Sequence, residues 1–184
     1  MNLIVDDRIQ KKYFYPTPEG FLRTINDINQ IVIHGSGGGA SSQALINWLL
    51  TDEEHGKLLR QGEGLFHYTI DLYGDIYNIL PADVWCYHSD AGLYDKRSIG
   101  IEMVNIGVEN SAGYTDEQYK ALQDLIVTLC QDAPSINSIV SHDANRRMIS
   151  NMGPKPCPGS LFDWMKIEEV ITGRINQTIT VIRA

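Results

Sequence analysis

Cysteine is scarce in this chain: Cys86, Cys130 and Cys157 are the whole supply among 184 residues. An odd and sparse set argues against a disulfide framework, leaves at least one thiol free for other chemistry and fits a reducing folding compartment. Long apolar runs are missing too, and no stretch approaches the ~18 apolar residues that a membrane span requires. The opening Met1-Asn2-Leu3-Ile4-Val5-Asp6-Asp7-Arg8 has no basic region followed by an apolar core, so no signal peptide is expected and synthesis is placed in the cytoplasm. Positive charge is the third deficit, because 15 Lys and Arg stand against 23 Asp and Glu for a formal net charge of −8. Nucleic-acid and anionic-membrane surfaces are bound by clustered cations, so neither partner is expected. There is no internal repeat and no low-complexity segment, and one domain accounts for the length.

What is present alternates between strand and helix signals. Residues 1–29 are weakly periodic and broken by Tyr15-Pro16-Thr17-Pro18-Glu19-Gly20, which reads as an N-terminal arm with a short helix near Phe21 to Ile28. Gln30 to His34 is a short β-branched run that empties into Gly35-Ser36-Gly37-Gly38-Gly39, and no Gly-Lys-Ser/Thr follows to make that loop a phosphate cradle. Ser41-Ser42 caps a helix whose Ala44, Leu45, Trp48 and Leu49 share one face and are assigned to the core. From His67 the chain alternates through Tyr68, Ile70 and Leu72, turns at Gly74-Asp75 and resumes as Ile76-Tyr77-Asn78-Ile79, the pattern of a hairpin. Another strand spans Ser98 to Asn105. Thr115-Asp116-Glu117-Gln118 is a capping box, and the stripe Tyr119, Leu122, Leu125, Ile126, Leu129 and Cys130 behind it predicts a core-facing helix. Ser135 to Val140 reads as a strand, Asp143 to Gly159 as a long loop, and Leu161 to Ile171 as a final helix. The tail, residues 172–184, contains Thr178-Ile179-Thr180-Val181-Ile182, an additional edge strand. The expected fold is therefore α/β, a mixed central β-sheet with one antiparallel hairpin and flanking helices, with the domain proper over residues 30–171.

Two histidines and a cysteine stand where the chain leaves a strand or crosses a loop: His34, His142 and Cys157 in Gly153-Pro154-Lys155-Pro156-Cys157-Pro158-Gly159. Together they read as a zinc site, since zinc takes imidazole nitrogen and thiolate sulfur, and three protein ligands leave a position open for catalysis. Singly, each has a plainer reading as a hydrogen-bonded strand-end histidine or a buried thiol. A zinc hydrolase also needs a base for water and a positive group for the developing oxyanion. Glu102 is a lone carboxylate in the apolar strand Ser98-Ile99-Gly100-Ile101-Glu102-Met103, costly to bury unless paired or close to a metal. Its alternative is a solvent-facing position, because alternation sets it with Gly100 and Val104 and opposite Ile99, Ile101 and Met103. Lys155 precedes Cys157 in a loop stiffened by Pro154, Pro156 and Pro158. His88, Trp85 and Tyr87 are candidates for substrate contact in a groove shared with the Gly35 to Gly39 loop. His67 reads as a structural hydrogen-bonding residue and His55 as a solvated helix end.

Seven segments in this order resemble the zinc-dependent N-acetylmuramoyl-L-alanine amidases of the type 2 amidase family, related to phage amidase lysozymes and peptidoglycan recognition proteins. They are Ile31 to His34, Phe66 to Asp71 with Gly74 to Tyr77, Trp85 to His88, Ser98 to Asn105, Thr115 to Gln118, Ile139 to Asp143 and Lys155 to Trp164. The resemblance implies the amidase/recognition-protein fold and one Zn2+ on His34, His142 and Cys157. It implies Glu102 and Lys155 at the acid/base and oxyanion positions, and cleavage between the lactyl group of N-acetylmuramic acid and L-alanine of the stem peptide. Peptidoglycan or muropeptides are the implied partners of a monomeric enzyme. Two residues depart from the common pattern: Cys157 stands where many members have aspartate, and Phe66 where the cysteine branches have a catalytic tyrosine, which leaves proton handling to Glu102. The implied setting is a phage or prophage endolysin that reaches the cell wall after release. A cytosolic amidase recycling soluble anhydro-muropeptides and a non-catalytic peptidoglycan-binding module are the alternatives.

Overall fold

The structure, a computed structural model, describes residues 2–13, 17–51, 56, 59–149 and 153–183. Its β-branched and aromatic runs become β1 (Leu3–Val5), β2 (Gln30–Gly35), β3 (Tyr68–Ile70), β4 (Ile76–Asn78), β5 (Ser98–Met103), β6 (Ser138–Ser141) and β7 (Thr180–Ile182). Among the described residues these strands form one sheet in the order β1-β4-β3-β5-β2-β6-β7. Only β3 and β4 pair antiparallel, across a turn at Gly74 whose φ of 82° favours glycine; the other neighbours run parallel. The helices are α1 (Arg8–Tyr13), α2 (Ser42–Thr51), α3 (Asp116–Asp132), α4 (His142–Ile149) and α5 (Met165–Arg174). The sheet is thus mixed, carries the expected hairpin and is flanked by helices.

Strand alternation divides the interior. Ile31, Ile33, Ile99, Ile101, Met103 and Ile139 point to one face, where Leu122, Leu125 and Ile126 of α3 and Ile167 and Val170 of α5 cover them. Each of these side chains is at most 2% exposed, and full burial of one aliphatic side chain contributes about 1.5–3 kcal/mol. The α3 helix starts where its capping box predicts, with Gln118 N–H donating to Thr115 Oγ1 and Thr115 N–H to Gln118 Oε1, both at 3.1 Å. A second apolar cluster, with Ile46, Leu49, Leu65, Phe66, Leu80 and Val84, lies apart from the first.

Several expectations are corrected. Within the expected arm, residues 2–13 and 17–29 are built into the fold: β1 pairs with β4 along that strand's open edge, while Ile9 of α1 is fully buried. Arg23 is buried as well, donating to the carbonyls of Ala82, Lys96 and Ser98 at 2.7–2.8 Å, with Nη2 at 2.9 Å from His67 Nε2. The helix expected near Phe21 to Ile28 is two short 3-10 turns, Glu19–Phe21 and Ile25–Asp27. The expected loop from residue 143 begins instead as helix α4, whose Ala144 N–H is held by Ser141 Oγ at 3.0 Å. On α2 the buried face is Ser42, Ile46 and Leu49, because the buried Ser42 hydroxyl pairs with Thr69 Oγ1 at 3.1 Å; Trp48, expected in the core, is 47% exposed. His55 lies outside the described residues. Among the described residues no helix is long and apolar enough to cross a membrane.

Candidate metal centre and cleft

Three adjacent parallel strands, β5, β2 and β6, end on the same side of the sheet, the place where open α/β sheets form ligand crevices. Register sets His34 opposite Glu102 and Ile33 opposite Ser141, so His142 follows directly on the neighbouring strand end. Cys157 reaches the same point from the loop after α4. One donor atom each from His34, His142 and Cys157 lies within 4.8 Å of the others. The two Nδ1 atoms are 3.0 Å apart, and Gly35 N–H points at Cys157 Sγ at 3.3 Å.

Polar staples hold the cysteine loop. Asp143 accepts from Lys155 N–H at 2.8 Å, and its own N–H donates to Cys157 O at 3.2 Å. Asn110 donates to Pro156 O at 3.2 Å and accepts from Gly37 N–H at 2.7 Å, joining the cysteine loop to the loop after His34. Tyr114 OH donates to Pro158 O at 2.6 Å. The approach is so close that a Cβ on Gly35 would lie 2.4 Å from both Asn110 Oδ1 and Tyr114 OH. Glycine is therefore required after His34 by space as well as by any flexibility of the loop.

Burial decides the protonation of the cluster. It lowers the pKa of His34 well below the usual imidazole range, reinforced by His142, His88 and Lys155, and lowers His142 to about 4, reinforced by Lys155. Both rings are neutral at pH 7 and offer lone pairs. Burial raises the Cys157 thiol to about 12, with Glu102 adding to the shift, so the sulfur is a thiol until a cation is present to favour the thiolate. Two imidazoles and one sulfur are donors that suit zinc. The 3.0 Å contact between Nδ1 atoms can be made either by a proton on one ring or by a cation shared between both.

Glu102 lies in the same cleft, with Oε2 buried and without a hydrogen-bond partner among the described residues. Burial raises its pKa to about 7, against the pull of Lys155. The cleft, of about 560 Å³, is also lined by His88, Phe66, Lys155, Trp48, Leu45 and Val108. His88 belongs here, but as a buried ring behind His34, with Nδ1 at 3.1 Å from His34 Nε2 and Nε2 at 2.9 Å from Ser98 Oγ. Its space exists because residue 100 is glycine: a Cβ there would lie 2.8 Å from the His88 ring. Trp85 does not line the cleft. It is 5% exposed, stacks on Phe21 at 4.7 Å and donates to Gly20 O at 2.8 Å, so its apolar ring pins the N-terminal segment. Tyr87 is half-buried beside Trp85 and lines a neighbouring cavity with Glu63, Asp90 and Lys155. Trp48 lines the cleft although its helical spacing matches a core position, and Asn110 and Asp90 reach the cleft and the neighbouring cavity from stretches with no local pattern.

A profile for the family described as N-acetylmuramoyl-L-alanine amidase matches residues 24–160. Comparison with curated proteins gave no match. Among solved structures, the chain is similar to the N-acetylmuramoyl-L-alanine amidase LysC from Clostridium intestinale URNW, at 23% identity and TM-score 0.64 over 94% of this chain and 96% of that one. It is also similar to the Ph2119 endolysin from Thermus scotoductus MAT2119 bacteriophage Ph2119, at 19% identity and TM-score 0.57 over 92% and 98% of the two chains. A third is bumblebee PGRP-SA, at 16% identity and TM-score 0.57 over 95% of each chain. These structures share the fold, and because the family match takes in most of its length, the chain belongs to the N-acetylmuramoyl-L-alanine amidase family.

Proposed function

We propose that this chain hydrolyses the amide between the lactyl group of N-acetylmuramic acid and L-alanine of the peptidoglycan stem peptide, using one zinc ion on His34, His142 and Cys157. The observation that carries this reading is the convergence of those donors with the shielded Glu102 carboxylate and the Lys155 amine in one cleft. A zinc ion on this donor set would polarise an amide carbonyl and acidify water near neutral pH. Glu102, raised to about 7, is poised to accept a proton from the attacking water and return it to the leaving amine. Phe66 in the cleft wall has no hydroxyl to share that work. The Lys155 ammonium, half exposed in the cleft lining, offsets the charge that grows on the carbonyl oxygen as the carbon becomes tetrahedral. The likeness to phage endolysins supports action on the cell wall after release from a host cell.

Products released from purified sacculi and from soluble muropeptides are to be identified by mass spectrometry, with and without a chelator, alongside zinc stoichiometry. Free stem peptides beginning with L-alanine, lost on chelation, with one zinc per chain are expected. Bound zinc without released peptide would transfer the protein to a binding role, the reading that its similarity to recognition proteins supports. A preference for soluble fragments would favour recycling over lysis.

A further inference from the structure

Aiming both Nδ1 atoms at one cation fixes the protons elsewhere on each ring: both Nε2 atoms must carry a hydrogen, and each hydrogen needs an acceptor. For His34 the acceptor is present, because His88 Nδ1 lies 3.1 Å from its Nε2. The relay continues through His88 Nε2 to Ser98 Oγ at 2.9 Å, with Asp95 Oδ1 at 3.6 Å. For His142 the matching atom is buried and has no hydrogen-bond partner among the described residues. The carboxylate beside it is Asp90, whose Oδ2 lies 3.6 Å from His142 Nε2. That spacing is ion-pair range, and a small side-chain rotation of the half-exposed aspartate brings it to hydrogen-bond length.

Two further observations set Asp90 apart from a surface aspartate. Its Oδ2 also lies 3.7 Å from Lys155 Nζ and 3.5 Å from Arg146 Nε, so one oxygen faces the candidate ligand, the candidate oxyanion lysine and a guanidinium. Its backbone is left-handed, with φ of 56°, a conformation uncommon for a residue other than glycine and found where surrounding structure imposes it. Contacts of the neighbouring residue impose it here. The preceding Ser89 is fully buried, its hydroxyl donates to Asp95 and accepts from Asn145 Nδ2 at 2.7 Å, and its N–H points at Asp95 Oδ2 at 3.3 Å. Asn145 is on α4, the helix that His142 begins, so the loop carrying Asp90 and the helix carrying the ligand are pinned together.

We propose that Asp90 is a positioning residue of this site. Its carboxylate accepts the Nε2 hydrogen of His142, which turns the Nδ1 lone pair toward the metal position. By sharing the same oxygen with Lys155 it ties the oxyanion-stabilising amine to the ligand it orients. This role rests on the zinc-amidase reading above.

Zinc affinity measured by competition with a chromophoric chelator tests it, in wild type, Asp90→Asn and Asp90→Gly. Both replacements tolerate the left-handed backbone, so neither adds strain. The amide of Asp90→Asn can still accept a hydrogen bond but loses the charge, whereas Asp90→Gly removes the acceptor. The expected order is wild type tightest, Asp90→Asn weaker and Asp90→Gly weakest by about 10–100-fold, the range for loss of a partner that orients a ligand. The metal-free variants should melt with the wild type, and at saturating zinc kcat should fall with KM little changed. Equal zinc affinity in all three proteins, or a loss matched by an equal loss of metal-free stability, overturns the proposal. Failure of the wild type to bind zinc is a separate result that overturns the metal site itself.

Discussion

Strands β2 and β5 present two unlike faces made from alternate residues of the same two stretches of chain. Ile31, Ile33, Ile99, Ile101 and Met103 face α3 and α5 in a fully apolar layer, whereas His34 and Glu102 face a cleft beside Gly100 and the buried His88 ring. A period of two keeps these chemistries a single residue apart without mixing them. One face is stabilised by area removed from water; the other holds neutral imidazoles and an orphaned carboxylate at a free-energy cost that the first face offsets. Stability and chemistry in this protein are therefore separable by substitution.

The largest expected separation comes from Glu102→Gln. Turnover should fall about 10²–10⁴-fold, the usual weight of a general base, while zinc content is unchanged; steady-state rates and metal analysis on the same preparation check it, and full activity would remove Glu102 from the chemistry. The converse is Ile101→Ala, which should cost about 2–5 kcal/mol in denaturant unfolding yet leave zinc affinity close to that of the wild type. Gly100→Ala crosses between the faces, since the new Cβ would sit 2.8 Å from the His88 ring. Overpacking of this kind costs about 1–3 kcal/mol, and here it should also weaken zinc binding by displacing the ring that receives His34; a variant that loses stability alone would show that His88 does not matter to the metal.

A further separation is read from pH. His142 is depressed from 6.5 to about 4 in the metal-free fold, and burial depresses His34 and His67 as well. The unfolded chain therefore binds protons that the native fold refuses, so stability is full above about pH 6.5 and declines as pH falls toward 4, with a slope per histidine approaching ~1.4 kcal/mol per pH unit. Chemical denaturation of chelated protein at several pH values checks the sign, and a flat profile would mean that the cluster opens to water.

Much of this was legible along the chain because the signals were local. The hairpin through Gly74, the capping box at Thr115, the stripe from Tyr119 to Cys130 and the alternation that isolates Glu102 all depend on neighbours within a few residues. His34, His142 and Cys157 stand out as candidate metal donors by residue type and by their positions at strand ends and in a proline-rich loop. Trp85 resembles a binding residue because it is an aromatic near a histidine, whereas the Phe21 it stacks on is far away in sequence. Trp48 is the opposite case, because helical spacing cannot show that Ser42 turns inward to meet Thr69.

Local patterning thus accounts for the strands β2 to β6, the capped helix α3, the apolar layer they share and the residue types offered as donors, since backbone geometry and hydrophobic periodicity act over short separations. Tertiary structure alone decided that β1 closes the sheet, that His88 stands behind His34, and that Asp90 and Asn110 come to serve His142 and the cysteine loop. Those contacts join residues tens of positions apart through single polar atoms. No periodicity records such a pairing, and only the packed sheet brings the partners within reach.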